Sequence, residues 1–102
     1  MPAALSGQTT VTTAGTSVAL GAGTTPAPTA STVVITAMPT NTGTIYVGNA
    51  GDDTVSAANG SPLAPGERVV IELTFSKLSD IRVNAATSGD KAAWLIAEDN
   101  SN

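Results

Sequence analysis

The run Arg68-Val69-Val70-Ile71-Glu72-Leu73-Thr74-Phe75, with Ser61-Pro62-Leu63-Ala64-Pro65-Gly66-Glu67 ahead of it, constrains this chain most. Two prolines fix φ and Gly66 supplies the freedom to turn, which predicts a rigid loop feeding straight into a strand. Val69, Ile71, Leu73 and Phe75 fall on one face, and Arg68, Val70, Glu72 and Thr74 on the other. Such a period of two marks a strand with one buried face. Nothing elsewhere reads as helix beyond a single turn, at Ser76–Asp80, so the chain must build its core from strands.

That core is small. Of 102 residues, the first thirty are poor in large side chains, leaving roughly 70 to fold, a size at which a lone hydrophobic core is marginal. The chain has no cysteine and no histidine, so neither a disulfide nor a histidine-ligated zinc is at hand to staple it. The expected resolution is an obligate oligomer, or a subunit docked on a larger assembly. Only 12% of residues are charged, and the four basic ones, Arg68, Lys77, Arg82 and Lys91, are scattered. No counterion-releasing patch results, which argues against a direct nucleic-acid partner. No window approaches eighteen apolar residues, and Met1–Leu5 lacks the charge and apolar run of a secretory signal. The expectation is a cytoplasmically made chain that does not enter a membrane.

Taken in order, residues 1–30 read as an extended arm. Gln8–Thr13 and Ser17–Leu20 have enough β-branched character for short edge strands, and Thr24-Thr25-Pro26-Ala27-Pro28-Thr29 is a Pro and Thr linker. An arm of this kind is expected to lie on a neighbouring subunit, with Val11, Val18 and Leu20 as its candidate contacts. Residues 31–98 read as the body and 99–102 as a polar tail. In the body, Thr32–Met38 and Thr44–Gly48 are predicted as antiparallel neighbours joined by Pro39–Gly43. Thr54–Ser56 is a further short segment, and Ile81–Ala85 with Lys91–Glu98 is predicted as a hairpin across Ala86–Asp90. Six or seven short strands with frequent turn signals argue an all-β antiparallel sandwich or a partly open barrel.

Chemistry has little to work with. Without histidine or cysteine the common nucleophilic triads are excluded, and Lys77 and Lys91 sit in or beside turns where a solvated role is the default. Cupin-type metal chemistry lacks the histidines it uses. Asp52 and Asp53 could offer oxygen ligands, but they lack the alternating spacing of a calcium loop. Glu67 and Glu72 fall on opposite faces by parity, so they share no site. No catalytic residue, cofactor or dedicated metal site is expected. Trp94, in an Ala-rich strand, reads as the largest core piece. Tyr46, opposite in parity to Ile45 and Val47, is a candidate interface anchor, and Val70 on the polar face of its strand is a candidate subunit contact.

The spaced string Ile45-Tyr46-Val47-Gly48, Gly60–Glu67, Leu78-Ser79-Asp80-Ile81 and Gly89–Leu95 resembles small β-rich structural proteins of tailed-phage virions, over residues 33–97. The resemblance implies a capsid decoration (cement) protein with a β-sandwich or jelly-roll body and a reaching arm. It further implies a homotrimer at local threefold positions of the capsid surface, with the major capsid protein as partner. The alternative it leaves is a receptor- or glycan-binding module of a tail or head fibre, resting on Tyr46, Asp52 and Asp53.

Overall fold

The computed structural model describes residues 6–20, 29–49, 55–77 and 81–98, and within these leaves out the side chains of 29–31, 49, 73–77, 97 and 98. Eight strands and no helix occur among the described residues: β1 (Ser6–Thr10), β2 (Val18–Ala19), β3 (Thr29–Ala37), β4 (Ile45–Asn49), β5 (Ser61–Leu63), β6 (Arg68–Lys77), β7 (Ile81–Ala85) and β8 (Lys91–Glu98). They form two four-stranded antiparallel sheets, ordered β1-β8-β3-β6 and β2-β7-β4-β5, which do not close into a barrel.

The pairing is nested. β1 pairs with β8, β2 with β7, β3 with β6 and β4 with β5, as if one long hairpin had been rolled up. Rolling adds the contacts β3 with β8 and β4 with β7, and the result is the strand order of a jelly roll. The core lies between the sheets. Val33, Ile35 and Ala37 of β3, Ala92, Trp94 and Ile96 of β8, and Ile45, Val47, Val83 and Leu63 from the facing sheet are all buried. Val69 and Ile71 of β6 pack against this cluster. Each fully buried Val, Leu or Ile contributes about 1.5–3 kcal/mol relative to exposure, so the cluster is the main source of stability.

Several pairings differ from the expectation. β3 and β4 lie in opposite sheets, as do β7 and β8, so neither pair is a hairpin. Alternation fixes which face of a strand is buried, but it does not select the neighbour. The two connections instead cross the gap between sheets, and polar side chains brace the crossing. Asp90, buried between them, accepts from the Thr42 amide through Oδ1 (3.1 Å) and the Gly43 amide through Oδ2 (2.8 Å). Asn41 pairs with the Lys91 backbone like a second peptide, donating to its carbonyl at 2.8 Å and accepting from its amide at 2.9 Å.

Ser61–Leu63 belongs to a strand and not solely to a loop. Pro62 fits there because β5 is an edge, where a missing N–H costs no ladder bond. The loop that follows turns at Gly66, which has φ of 89°. Ser76 and Lys77 continue β6 where a helical turn was expected. Val55 and Ser56 are not in a strand.

Residues 6–20 depart most from the expected arm. They are strands of both sheets: β1 lies beside β8 and β2 beside β7, and Val11 and Leu20 are fully buried in the core. Low hydrophobicity misled here because the apolar cover comes from the partner strand. Gly7 is opposite Trp94, and the indole lies so close that a Cβ on Gly7 would sit 2.7 Å from Cζ2. A large ring covering an edge-strand glycine is a recurrent stabilising device in sheets. The linker segment 24–28, Asp52 and Asp53, Leu78–Asp80 and the tail 99–102 lie outside the described residues, as do the side chains of Leu73 and Phe75.

Candidate functional site

The two sheets differ on their outer faces. On the β2-β7-β4-β5 sheet, parity turns Tyr46, Gly48 and Asn84 outward, yet Asn84 is buried. Residues 55–60, ahead of β5, fold back over this face: Val55 is 2% exposed and packs against Gly48 and Gly60. Asn84 holds it down, donating from Nδ2 to the Val55 carbonyl at 2.7 Å. Its Oδ1 accepts from the amides of Gly15 (3.0 Å) and Ala85 (2.8 Å), so the β1–β2 connection is fastened to the same side chain. Arg82 adds a further tie, donating from Nε to the Ser17 hydroxyl and from Nη2 to the Ser17 carbonyl. This face is largely covered by its own chain.

The β1-β8-β3-β6 sheet carries the opposite character. Val34 stands in register with Val70 on one side and Leu95 on the other, and Leu95 with Ser6. Residues directly opposite in neighbouring strands point to the same face, so Leu95, Val34 and Val70 form an apolar stripe across three strands. With strands spaced at about 4.8 Å, it spans roughly 10 Å. Val70 is 57% exposed and Leu95 51%, the two exposed large hydrophobics among the described residues. The neighbouring rows are small and polar, Gln8-Ala93-Thr36-Arg68 on one side and Thr32-Glu72 on the other. Charge is held to the margin and the centre is apolar.

The residues singled out from the sequence scatter over these surroundings. Val70 lies on the exposed stripe. Tyr46 is half-buried on the opposite outer face, beside the turn at 55–60, where a Cβ on Gly60 would sit 2.7 Å from Tyr46 Cβ. Val18 is half-buried against the core, while Val11 and Leu20 are core residues and present no surface for a partner. The structure does not bring these five together. Leu95 and Val34 were missed as contact residues. The signal for Leu95 was its parity: it lies between Trp94 and Ile96, which both face in.

Among the described residues, no three His, Cys, Asp or Glu side chains are placed to hold a metal ion, and no helix is long and apolar enough to cross a membrane. No protein-family model, curated protein or solved structure matches the chain.

Proposed function

We propose that this protein is a structural subunit that binds the outside of a phage capsid and stabilises the shell by bridging capsid subunits. The observation that supports this reading is the exposed stripe Leu95-Val34-Val70 at the centre of a low-charge sheet face. A contiguous apolar centre with a polar margin is the anatomy of a protein contact surface. A jelly roll hosts many activities, so the fold alone does not select this one. The virion assignment rests on the spaced motif string around Ile45–Gly48, Gly60–Glu67 and Gly89–Leu95. Many copies, each making a modest contact, hold a shell by avidity, and contacts present only in the assembled lattice stabilise that lattice.

The test uses the full chain and capsids of the parent particle. Co-sedimentation should show saturable binding by the native protein and loss of at least about tenfold in affinity for Leu95→Lys, since burying an unpaired ammonium is costly. Equal binding of the native and Leu95→Lys chains, or no binding of either, overturns the proposal. The glycan-binding alternative rests on Tyr46, which is half-buried, and on acids outside the described residues; no observation favours it.

A further inference from the structure

We infer that β6 is a self-complementary edge through which two copies of this chain pair antiparallel about Val70, joining their four-stranded sheets into one. β6 ends its sheet, and among the described residues no strand lies beyond it. The direction of its free backbone groups follows from the neighbouring bonds. The Ala37 amide donates to the Glu67 carbonyl at 2.8 Å, and the Gly66 amide donates to the Ala37 carbonyl at 2.9 Å, so Ala37 turns its backbone groups toward β6. The Met38 amide donates to the Lys91 carbonyl, so Met38 faces β8. This orientation alternates residue by residue along an antiparallel strand. Val33 and Ile35 therefore bond to Ile71 and Val69, their register partners, and Arg68, Val70 and Glu72 aim their N–H and C=O groups at the open edge.

Those three residues also present exposed side chains. Edge strands are usually protected by charged side chains, a proline or a bulge; residues 68–72 contain no proline, the register shift of this pairing begins beyond Glu72, and the two charges, Arg68 and Glu72, are of opposite sign. The charges are arranged to invite one register. With Val70 opposite Val70 of a second copy, Arg68 of each copy stands opposite Glu72 of the other, and every hydrogen-bonding pair in 68–72 uses groups already aimed outward. Sliding by two residues centres the pair on Val69 or Ile71 and loses the match, and sliding by four centres it on Arg68 or Glu72 and sets like charges face to face. A one-residue slip places core-facing beside solvent-facing side chains. Among the described residues, no side-chain partner of Arg68 or Glu72 is found.

An isologous contact of this kind closes at two copies. It differs from the threefold association that the family resemblance implies, and it does not depend on the capsid reading. It also places the stripe Leu95-Val34-Val70 of one copy end to end with that of the other, doubling its length.

Sedimentation equilibrium of the isolated full chain tests it. The native protein should show a monomer–dimer equilibrium. Arg68→Glu or Glu72→Arg alone puts like charges opposite one another in both pairs and should weaken dimerisation at least about tenfold. An equimolar mixture of the two variants should form a heterodimer, because each then supplies the charges the other lacks. The double variant Arg68→Glu, Glu72→Arg should dimerise like the native chain. Recovery in the mixture shows that both single variants fold. A native chain that stays monomeric or forms trimers overturns the inference, as do single variants that dimerise normally or a mixture that fails to recover.

Discussion

Asn84 fastens two connections to one sheet, and replacing it by alanine separates that role from simple packing. It lies on the outward side of β7 yet is 2% exposed, because the β1–β2 connection and the segment 55–60 close over it. Asn84→Ala removes the bonds to Gly15 and Val55 that span the fold, and a local one to Ala85. Two non-local bonds at about 1 kcal/mol net each, plus about 1 kcal/mol or more for the Val55 carbonyl left buried without its donor, give about 3 kcal/mol. That is a large share of the roughly 5–15 kcal/mol available to a small domain. Trp94 is the single tryptophan of the chain and is buried, so its fluorescence reports urea unfolding directly. With an m-value of about 1.5 kcal/mol/M, the midpoint should fall by about 2 M. Amide exchange at Gly15 should quicken before global unfolding. A midpoint shift below about 0.5 M would refute the reasoning, because it would mean that the connections hold their places without Asn84.

Three further outcomes follow from contacts already described. Gly7→Ala should destabilise by about 1–3 kcal/mol and shift the Trp94 emission, because the added Cβ meets the indole at 2.7 Å; unchanged emission and stability would show that the ring can move aside. Gly66→Ala should cost about 1–2 kcal/mol through its φ of 89° alone, since a Cβ there meets nothing within 4 Å, and urea titration should find the loss without any change in Trp94 emission. Asp90→Ala should cost about 3 kcal/mol by stranding the Thr42 and Gly43 amides from a charged acceptor; normal exchange protection at both amides would contradict this.

The strands were legible and their partners were not. Val33 with Ile35, Ile81 with Val83, and Val69 with Ile71 announce a buried face through alternation, and each pair does face the core. Alternation is silent about the crossing of β3 to β4 and of β7 to β8, because the residues that hold those crossings, Asn41 and Asp90, look like ordinary turn residues until their distant partners are known. Residues 6–20 read as short edge strands of an arm lying on a neighbouring subunit; that they join this body was not legible, since the cover for Gly7 is supplied by Trp94, far along the chain. On the candidate surface, Val70 stood out as an apolar residue on a polar face. Val34 and Leu95 join it only through the register of β3 with its two neighbours.

The nested pairing of β1 with β8 sets an order of events during synthesis. β1 is made before the seven other strands described, and among the described residues its one strand partner, β8, is made after them all. Trp94, which covers Gly7, arrives with that partner. The sheet containing β3 therefore lacks its inner strand β8, and the core lacks Ala92, Trp94 and Ile96, until Lys91–Glu98 has been made. A chain with such long-range contacts folds slowly and is open to aggregation meanwhile. Folding of this body therefore waits for β8, and a chain truncated before Lys91 should remain sensitive to protease while the chain of 102 residues resists it.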